Sequence, residues 1–224
     1  LFGDHVDPSF YIGMGIRAGI EAGISAEGNV NMLSTVHVHR PVHLEESLIA
    51  RGRIEAVEPV PRGEQVTTDV WFEGVDGVRA VSVPRRSLRP DPGKTKQGAG
   101  ERPPPVIEDV TSLTRLSEHR LTPDAVCRYS SEGNSIHYDM EAAKRAGFRA
   151  PIIGGGMGVH FLIAELWPDR GAELSLDIYF RRPVFWDDEF YVGRAKNAIA
   201  LVYGAAKIGI MGKVAEGALE RNGK

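Results

Sequence analysis

The sequence predicts an α+β protein made of two related units. Each is a long Gly-rich helix wrapped by an antiparallel sheet, and the first unit is N-terminally incomplete. Two near-repeats and a linker carry this prediction. Arg40-Pro41-Val42 recurs as Arg182-Pro183-Val184, 142 residues later, and each copy is followed by paired acids and then an apolar residue: Glu45-Glu46 with Leu48, Asp187-Asp188 with Phe190. Upstream, Gly13-Met14-Gly15-Ile16 matches Gly156-Met157-Gly158-Val159 at an offset of 143. Two matches at nearly one offset mark a duplicated unit. Between the copies, the 17 residues 89–105 hold five Pro and three Gly and no aliphatic side chain larger than that of Ala99. Such a segment cannot bury enough apolar surface to offset its ordering entropy. The chain therefore divides into a first unit at 1–88, a linker at 89–105 and a second unit at 106–224.

In the first unit, residues 10–24 read as a helix ending near Gly23 or Gly28. Each glycine in a helix costs roughly 1 kcal/mol relative to Ala, so several together point to close packing against a sheet. Residues 35–40 alternate apolar and polar, the period of a half-buried strand. Residues 47–60, 65–73 and 78–88 read as three further strands, and Glu73-Gly74-Val75-Asp76-Gly77 turns the chain between the last two.

The second unit adds an opening. Residues 113–120 read as a strand, and Thr122-Pro123-Asp124 starts a short helix with Thr122 as N-cap and Pro123 at its first position. Residues 139–146 form another short helix that begins at Asp139 and stops at Gly147. Residues 152–166 are the long helix, ended by Pro168. Residues 174–180, 189–199, 201–208 and 212–218 read as strands.

Each half is thus one Gly-rich helix followed by about four antiparallel strands. A helix wrapped by such a sheet is the hotdog arrangement, and two in one chain make a double hotdog. Two unrelated α+β domains are the plainer alternative. About 50 residues of the second unit precede its Gly-Met-Gly, against 12 in the first, so the first unit is expected to lack roughly 35 to 40 opening residues. The chain starts at Leu1 rather than Met, and its start is expected to be processed, engineered or incomplete.

At 42% hydrophobic and 25% charged residues, the 224-residue chain has an ordinary globular composition. Its longest uncharged run, residues 150–164, is shorter than the roughly 18 apolar residues of a membrane span. A net charge of −3 gives no broad positive field for nucleic acid. The single cysteine, Cys127, excludes an intrachain disulfide and a Cys-rich zinc site, and reads as a structural thiol. No secretory pattern opens the sequence, so a cytoplasmic location is expected, with neither membrane nor nucleic acid as partner.

The chemistry concentrates between Tyr129 and Met157. Glu132, Asn134 and His137 place an acid, an amide and an imidazole within six residues, in a loop that can aim all three into one cleft. An imidazole moves protons near neutral pH, and a carboxylate beside it can hold a water. Gly154-Gly155-Gly156 opens the long helix with N–H groups free of side chains, which suits a developing negative charge on oxygen. Acid, base and oxyanion donors together suit proton abstraction next to a carbonyl, or addition of water across an activated double bond.

This stretch resembles the MaoC-like (R)-specific enoyl-CoA hydratase and dehydratase family. The resemblance rests on Asn134, His137, Asp139, Ala143, Gly147-Phe148, Pro151-Ile152 and Gly156-Met157, with Phe180-Arg181-Arg182-Pro183-Val184 resembling the strand after the helix. It implies hydration of a trans-2-enoyl thioester, carried by CoA or by acyl carrier protein. Glu132 and His137 would share the water, Gly156 N–H would hold the thioester oxygen, and Asn134 would fix the loop. Gly155, Met157, Arg181 and Arg182 would contact substrate, the arginines through CoA phosphates. No metal or redox cofactor is implied, because the thioester supplies the activation. In two-unit members the second unit usually carries the catalytic loop, and the first makes room for the acyl chain. The sequence departs from the pattern in four places: Glu132 for Asp, Ser135 for Pro, Gly155 for His, and Ala164 where some hydratases place Ser. Shifting a carboxylate by about 1 Å can cost roughly 100-fold in rate.

Each pick has a plainer reading. Glu132 and His137 can be solvated loop residues, Asn134 a turn residue, and Gly154 to Gly156 a packing device. Arg181 and Arg182 can be strand-surface charge. His160, one turn beyond Gly156, reads as a packing or surface histidine, and Asp139 as an N-cap. His37, His39 and His43 fall at even steps and would share a face if the strand ran on past Pro41, but no completing ligand set accompanies them, so no metal is expected. Two rival functions remain: a non-catalytic acyl-CoA-binding hotdog subunit, and a hotdog thioesterase. A homodimer, or pairing with a related subunit, is the expected assembly.

Overall fold

The computed structural model describes residues 2–24, 29–94, 106–130, 134–170, 173–203 and 207–215. In the first unit, helix α1 (Phe10–Glu21) precedes strands β1 (Val30–Val38), β2 (Ile49–Val60), β3 (Gly63–Glu73), β4 (Arg79–Ser82) and β5 (Arg85–Pro90). The second unit begins with β6 (Thr114–Arg120), α2 (Pro123–Tyr129) and α3 (Met140–Arg145). It continues with α4 (Gly155–Leu166), β7 (Leu174–Phe180), β8 (Glu189–Ala195), β9 (Ala198–Tyr203) and β10 (Lys207–Val214). Ten strands form one antiparallel sheet in the order β2-β3-β4-β1-β7-β10-β9-β8-β6, with β5 pairing both β1 and β3.

The two units meet at β1 and β7. Their register pairs Thr35 with Asp177, and the Thr35 hydroxyl donates to the Asp177 carboxylate at 2.6 Å. These residues are 142 apart, the offset of the Arg-Pro-Val repeat. Repeat-equivalent residues therefore face each other across the seam, and the order of strands runs outward from it in the same way on both sides. The flank differs. β6 covers the outer side of β8, while β2 is a largely exposed edge strand among the described residues.

One core crosses the seam. Val159, Leu162, Ile163 and Leu166 of α4 are fully buried in the same cluster as Val36 of β1, Leu176 and Ile178 of β7, and Tyr11 and Ile12 of α1. Burying each such Leu or Ile contributes about 1.5–3 kcal/mol. Glycine lets α4 sit close to the sheet: a Cβ on Gly158 would fall 2.1 Å from Cδ1 of Ile210. Among the described residues, no helix is long and apolar enough to cross a membrane.

Several expectations need correction. Both Gly-rich helices are 12 residues long, shorter than the sequence predicts. Helix α1 stops at Glu21 because Gly23, at φ +86°, turns the chain out of the helix. Helix α4 starts only at Gly155, because 151–153 is held extended by neighbouring segments. The strand expected over 78–88 is two strands, broken at Val83-Pro84, since Pro84 has no N–H for the ladder. The expected turn near Ala200 lies instead at Lys196-Asn197, and 198–203 is continuous strand. That strand is apolar throughout, so it has no alternation from which its phase can be read. β5 runs two residues into the expected linker, of which 95–105 lies outside the described residues, as do Gly28 and 216–218.

Candidate active site

Local capping sets the loop. The Thr122 hydroxyl accepts from Ala125 N–H at 3.3 Å and starts α2, with Pro123 at its first position. The Asp139 carboxylate accepts from Ala142 N–H at 2.6 Å and starts α3. Between them Ser135–His137 forms one turn of 3-10 helix, and His137 N–H donates to the Asn134 carbonyl at 3.2 Å. Glu132 lies outside the described residues.

This turn is tied to the segment ahead of α4. Ile152 N–H donates to the Ile136 carbonyl at 3.2 Å, and His137 Nδ1–H donates to the Ile152 carbonyl at 2.9 Å. A carbonyl can only accept, so Nδ1 of a neutral His137 carries the proton and Nε2 carries the lone pair. On the other side, Ile153 N–H donates to the Val184 carbonyl and Trp186 N–H to the Pro151 carbonyl, at 2.9 and 3.0 Å. Residues 151–153 are thus clamped between the loop and the repeat segment Pro183 to Trp186. Gly154 caps α4 in an extended conformation, and Gly158 N–H is the first to close onto it, at 3.3 Å. The N–H groups of Gly155, Gly156 and Met157 are left at the open helix end.

A cavity of about 340 Å³ opens beside this helix start. Of the residues singled out in the sequence, Asn134, His137, Gly155, Arg181 and Arg182 line it. A Cβ on Gly155 would fall 3.1 Å from the Phe180 ring and 3.6 Å from the Asn31 amide, so the bare glycine keeps this wall open. Gly156 and Met157 are not among the lining residues. The Cα of Gly156 faces the Ser9 carbonyl and the Tyr129 ring, and Met157 is buried in the main core. Met157 is therefore a packing residue, not a cavity contact.

The first unit supplies the opposite wall, which the sequence reading missed: Ile12, Ile16, Asn31, Arg62, Arg85 and Leu88. Among the described residues, four arginines and no carboxylate line the cavity. Arg182 is exposed at the rim and Arg181 is partly buried. Arg85 is partly buried, and burial lowers its pKa. No alternation marks it: residues 80–83 are buried on both faces, and the break at Val83-Pro84 separates them from Arg85.

The histidines scatter. His160 pairs with the buried carboxylate of Asp7 and does not line the cavity. His37 and His39 share a face, with ring centroids 4.0 Å apart. His43 turns away past Pro41 and contacts Asp4 at 3.2 Å, its ring against that of His5. Asp4, His5 and His43 are the one group among the described residues whose ligand atoms could share a metal ion, and two of the three are exposed. Cys127, expected as a structural thiol, is exposed on α2.

No family model matches the chain, and no curated protein matches it in sequence. Solved structures match it in shape. HtdX of Mycobacterium tuberculosis superposes with a TM-score of 0.77 over 95% of this chain and 89% of that one, at 19% identity. A MaoC-like dehydratase from Phytophthora capsici gives 0.63 over 83% of this chain and 71% of that one, at 17% identity. A conserved hypothetical protein of Mycobacterium tuberculosis, described as having a double hotdog fold, gives 0.62 over 94% and 81%, at 11% identity. The chain has a hotdog-type α+β fold with one long antiparallel sheet, and its likeness to MaoC-like dehydratases is a likeness of fold.

Proposed function

We propose that this chain is a hydratase or dehydratase acting on a 2-enoyl thioester. The observation that carries the reading is His137, its Nδ1–H anchored on the Ile152 carbonyl, lining a cavity beside the open N-terminus of α4. Hydration would proceed by removal of a proton from water by Nε2 of His137, with Glu132 sharing that water. The hydroxyl oxygen bonds to C3, the electron pair shifts toward the thioester oxygen, and a proton returns to C2. The bare N–H groups at the helix start, that of Gly156 together with that of Gly155 at the cavity wall, would hold the thioester oxygen while it carries charge. Asn134 would steady the loop, and Arg181 and Arg182 would meet the phosphates of CoA near the rim.

The test uses crotonyl-CoA and longer trans-2-enoyl-CoAs, following the conjugated thioester absorbance beside a free-thiol assay. Loss of absorbance without thiol release is expected, with His137→Ala slower by about 100-fold or more. Thiol release would assign a thioesterase instead. No change at any chain length would overturn the reaction and favour a binding subunit.

A further inference from the structure

Arg85 is a cation without a counter-ion. Its side chain makes no hydrogen bond or ion pair among the described residues, although Asp and Glu are common elsewhere on the surface. The nearby hydroxyl of Ser34 is already engaged with the Asn31 amide, accepting from it at 2.9 Å. Arg85 also borders a small recess under α1, formed with Ile12, Gly15, Ile16, Val70 and Val83 and with the hydroxyl residues Ser34 and Thr68. A guanidinium stays ionised in proteins, and one partly shielded from water gains from an anion placed against it. Burial is the cause that lowers its pKa, and no neighbouring carboxylate offsets it.

Arg85 is also in the wrong place for the CoA phosphates. Gly155 faces Asn31, whereas Arg85 pairs in register with Ser34, three residues further along β1. That separation is about 10 Å along a strand. Tyr179 pairs with Leu33, so the chain beyond Phe180 that carries exposed Arg182 runs away from Ser34, while Arg85 lies toward the α1 wall. The lining on the way is largely aliphatic, with Ile12 and Ile16 of α1 beside Arg85.

We propose that the acyl group accepted by this cavity is short and ends in a carboxylate, which Arg85 binds at the α1 wall. The substrate class is then the CoA thioester of a short unsaturated dicarboxylic acid. This rests on the thioester reading above and adds the chemistry of the acyl end.

Calorimetry with two non-reacting probes isolates that end: a saturated acyl-CoA, and the acyl-CoA of equal length with a terminal carboxylate. The native chain is expected to bind the carboxylated probe at least about tenfold more tightly. Arg85→Met is expected to reverse the preference, because an apolar wall favours the methyl end. Arg85→Met without ligand is also expected to keep or raise Tm, since it removes a partly buried charge that has no partner among the described residues. Equal weakening of both probes would mean that Arg85 serves the CoA phosphates, and would overturn the proposal. Equal binding of both probes by the native chain would overturn it too. Turnover separates this inference from the reaction. Carboxylated probes bound through Arg85 but no enoyl-CoA hydrated would sink the hydratase and keep the anion site. Equal kcat/KM for carboxylated and plain enoyl-CoAs would do the reverse.

Discussion

The two units begin their helices differently. Helix α4 starts beyond a clamped extended segment, with the Asn134 to His137 turn held beside it and a cavity at its end. Helix α1 starts beyond Asp7-Pro8-Ser9, where the Asp7 carboxylate accepts from Ser9 N–H at 2.9 Å and pairs with His160 of the neighbouring helix. The first helix start is stapled shut by polar contacts, and the second is left open. The same duplicated frame therefore serves two purposes. One copy brings the His137 turn and an open helix start to the cavity, and the other closes its helix start and supplies the facing wall with Asn31, Arg62 and Arg85.

The seam tests how far the two copies remain one body. Val36 and Ile178 are 142 residues apart, both fully buried, and share the core that crosses from β1 to β7. Ile178→Ala is expected to cost about 2–5 kcal/mol, and Val36→Ala less because fewer methyl groups are lost. Both should lower the midpoint of one cooperative unfolding transition, read by calorimetry and denaturant titration together. Two separated transitions in either variant would break the comparison, because the units would then unfold on their own.

The next effect is smaller and separates the two helix starts. Asp7→Ala leaves His160 and Ser9 N–H without their acceptor and should cost about 1–3 kcal/mol. It should leave kcat near the native value, since the Asp7–His160 pair does not line the cavity. Asp139→Ala removes an N-cap and should cost about 1 kcal/mol. It should also lower kcat, because the Asp139 carboxylate fixes the start of α3 directly after the turn that holds His137. Equal kcat losses in the two variants would erase the distinction between a stapled and an open helix start.

What could be read in the sequence was local or repeated. Thr122 and Asp139 both cap helices as expected, because a cap needs only neighbours in the chain. The span of β7 was legible from its alternation and its place after Pro168. The repeat offset reappears as the pairing of Thr35 with Asp177. What could not be read depended on contacts distant in sequence. The start of α4 depends on Val184 and Ile136 holding 151–153, and the break at Pro84 hid the inward position of Arg85. Met157 sits in the matching motif yet faces the core, because a helix alternates faces faster than a motif can show.

The smallest expected effect is on pH, with one histidine in each unit. Burial holds the His39 imidazole below the usual histidine range, and the charge of His37 adds to this while Glu173 opposes it. Burial likewise lowers His119, with Glu165 opposing and His160 adding. Ser117 donates to Glu165, so His119 Nε2–H donates to the Ser117 hydroxyl, at 2.8 Å. In the unfolded chain both residues take up a proton near pH 6.5. The folded chain takes it up only at lower pH, so the unfolded state binds more protons in between. Stability is therefore full above about pH 6.5 and falls as the pH drops from there to the depressed folded values. Carboxylates with lowered values, such as Glu46 beside Arg40, lose their contribution only in more acid solution. Tm measured from pH 7.5 to 5 should decline for the native chain, and His39→Gln and His119→Gln should each flatten the decline. If only one variant flattens it, the acid sensitivity belongs to that unit alone. If neither does, the depressed histidines contribute nothing to the acid response, and the two units cannot be told apart by it.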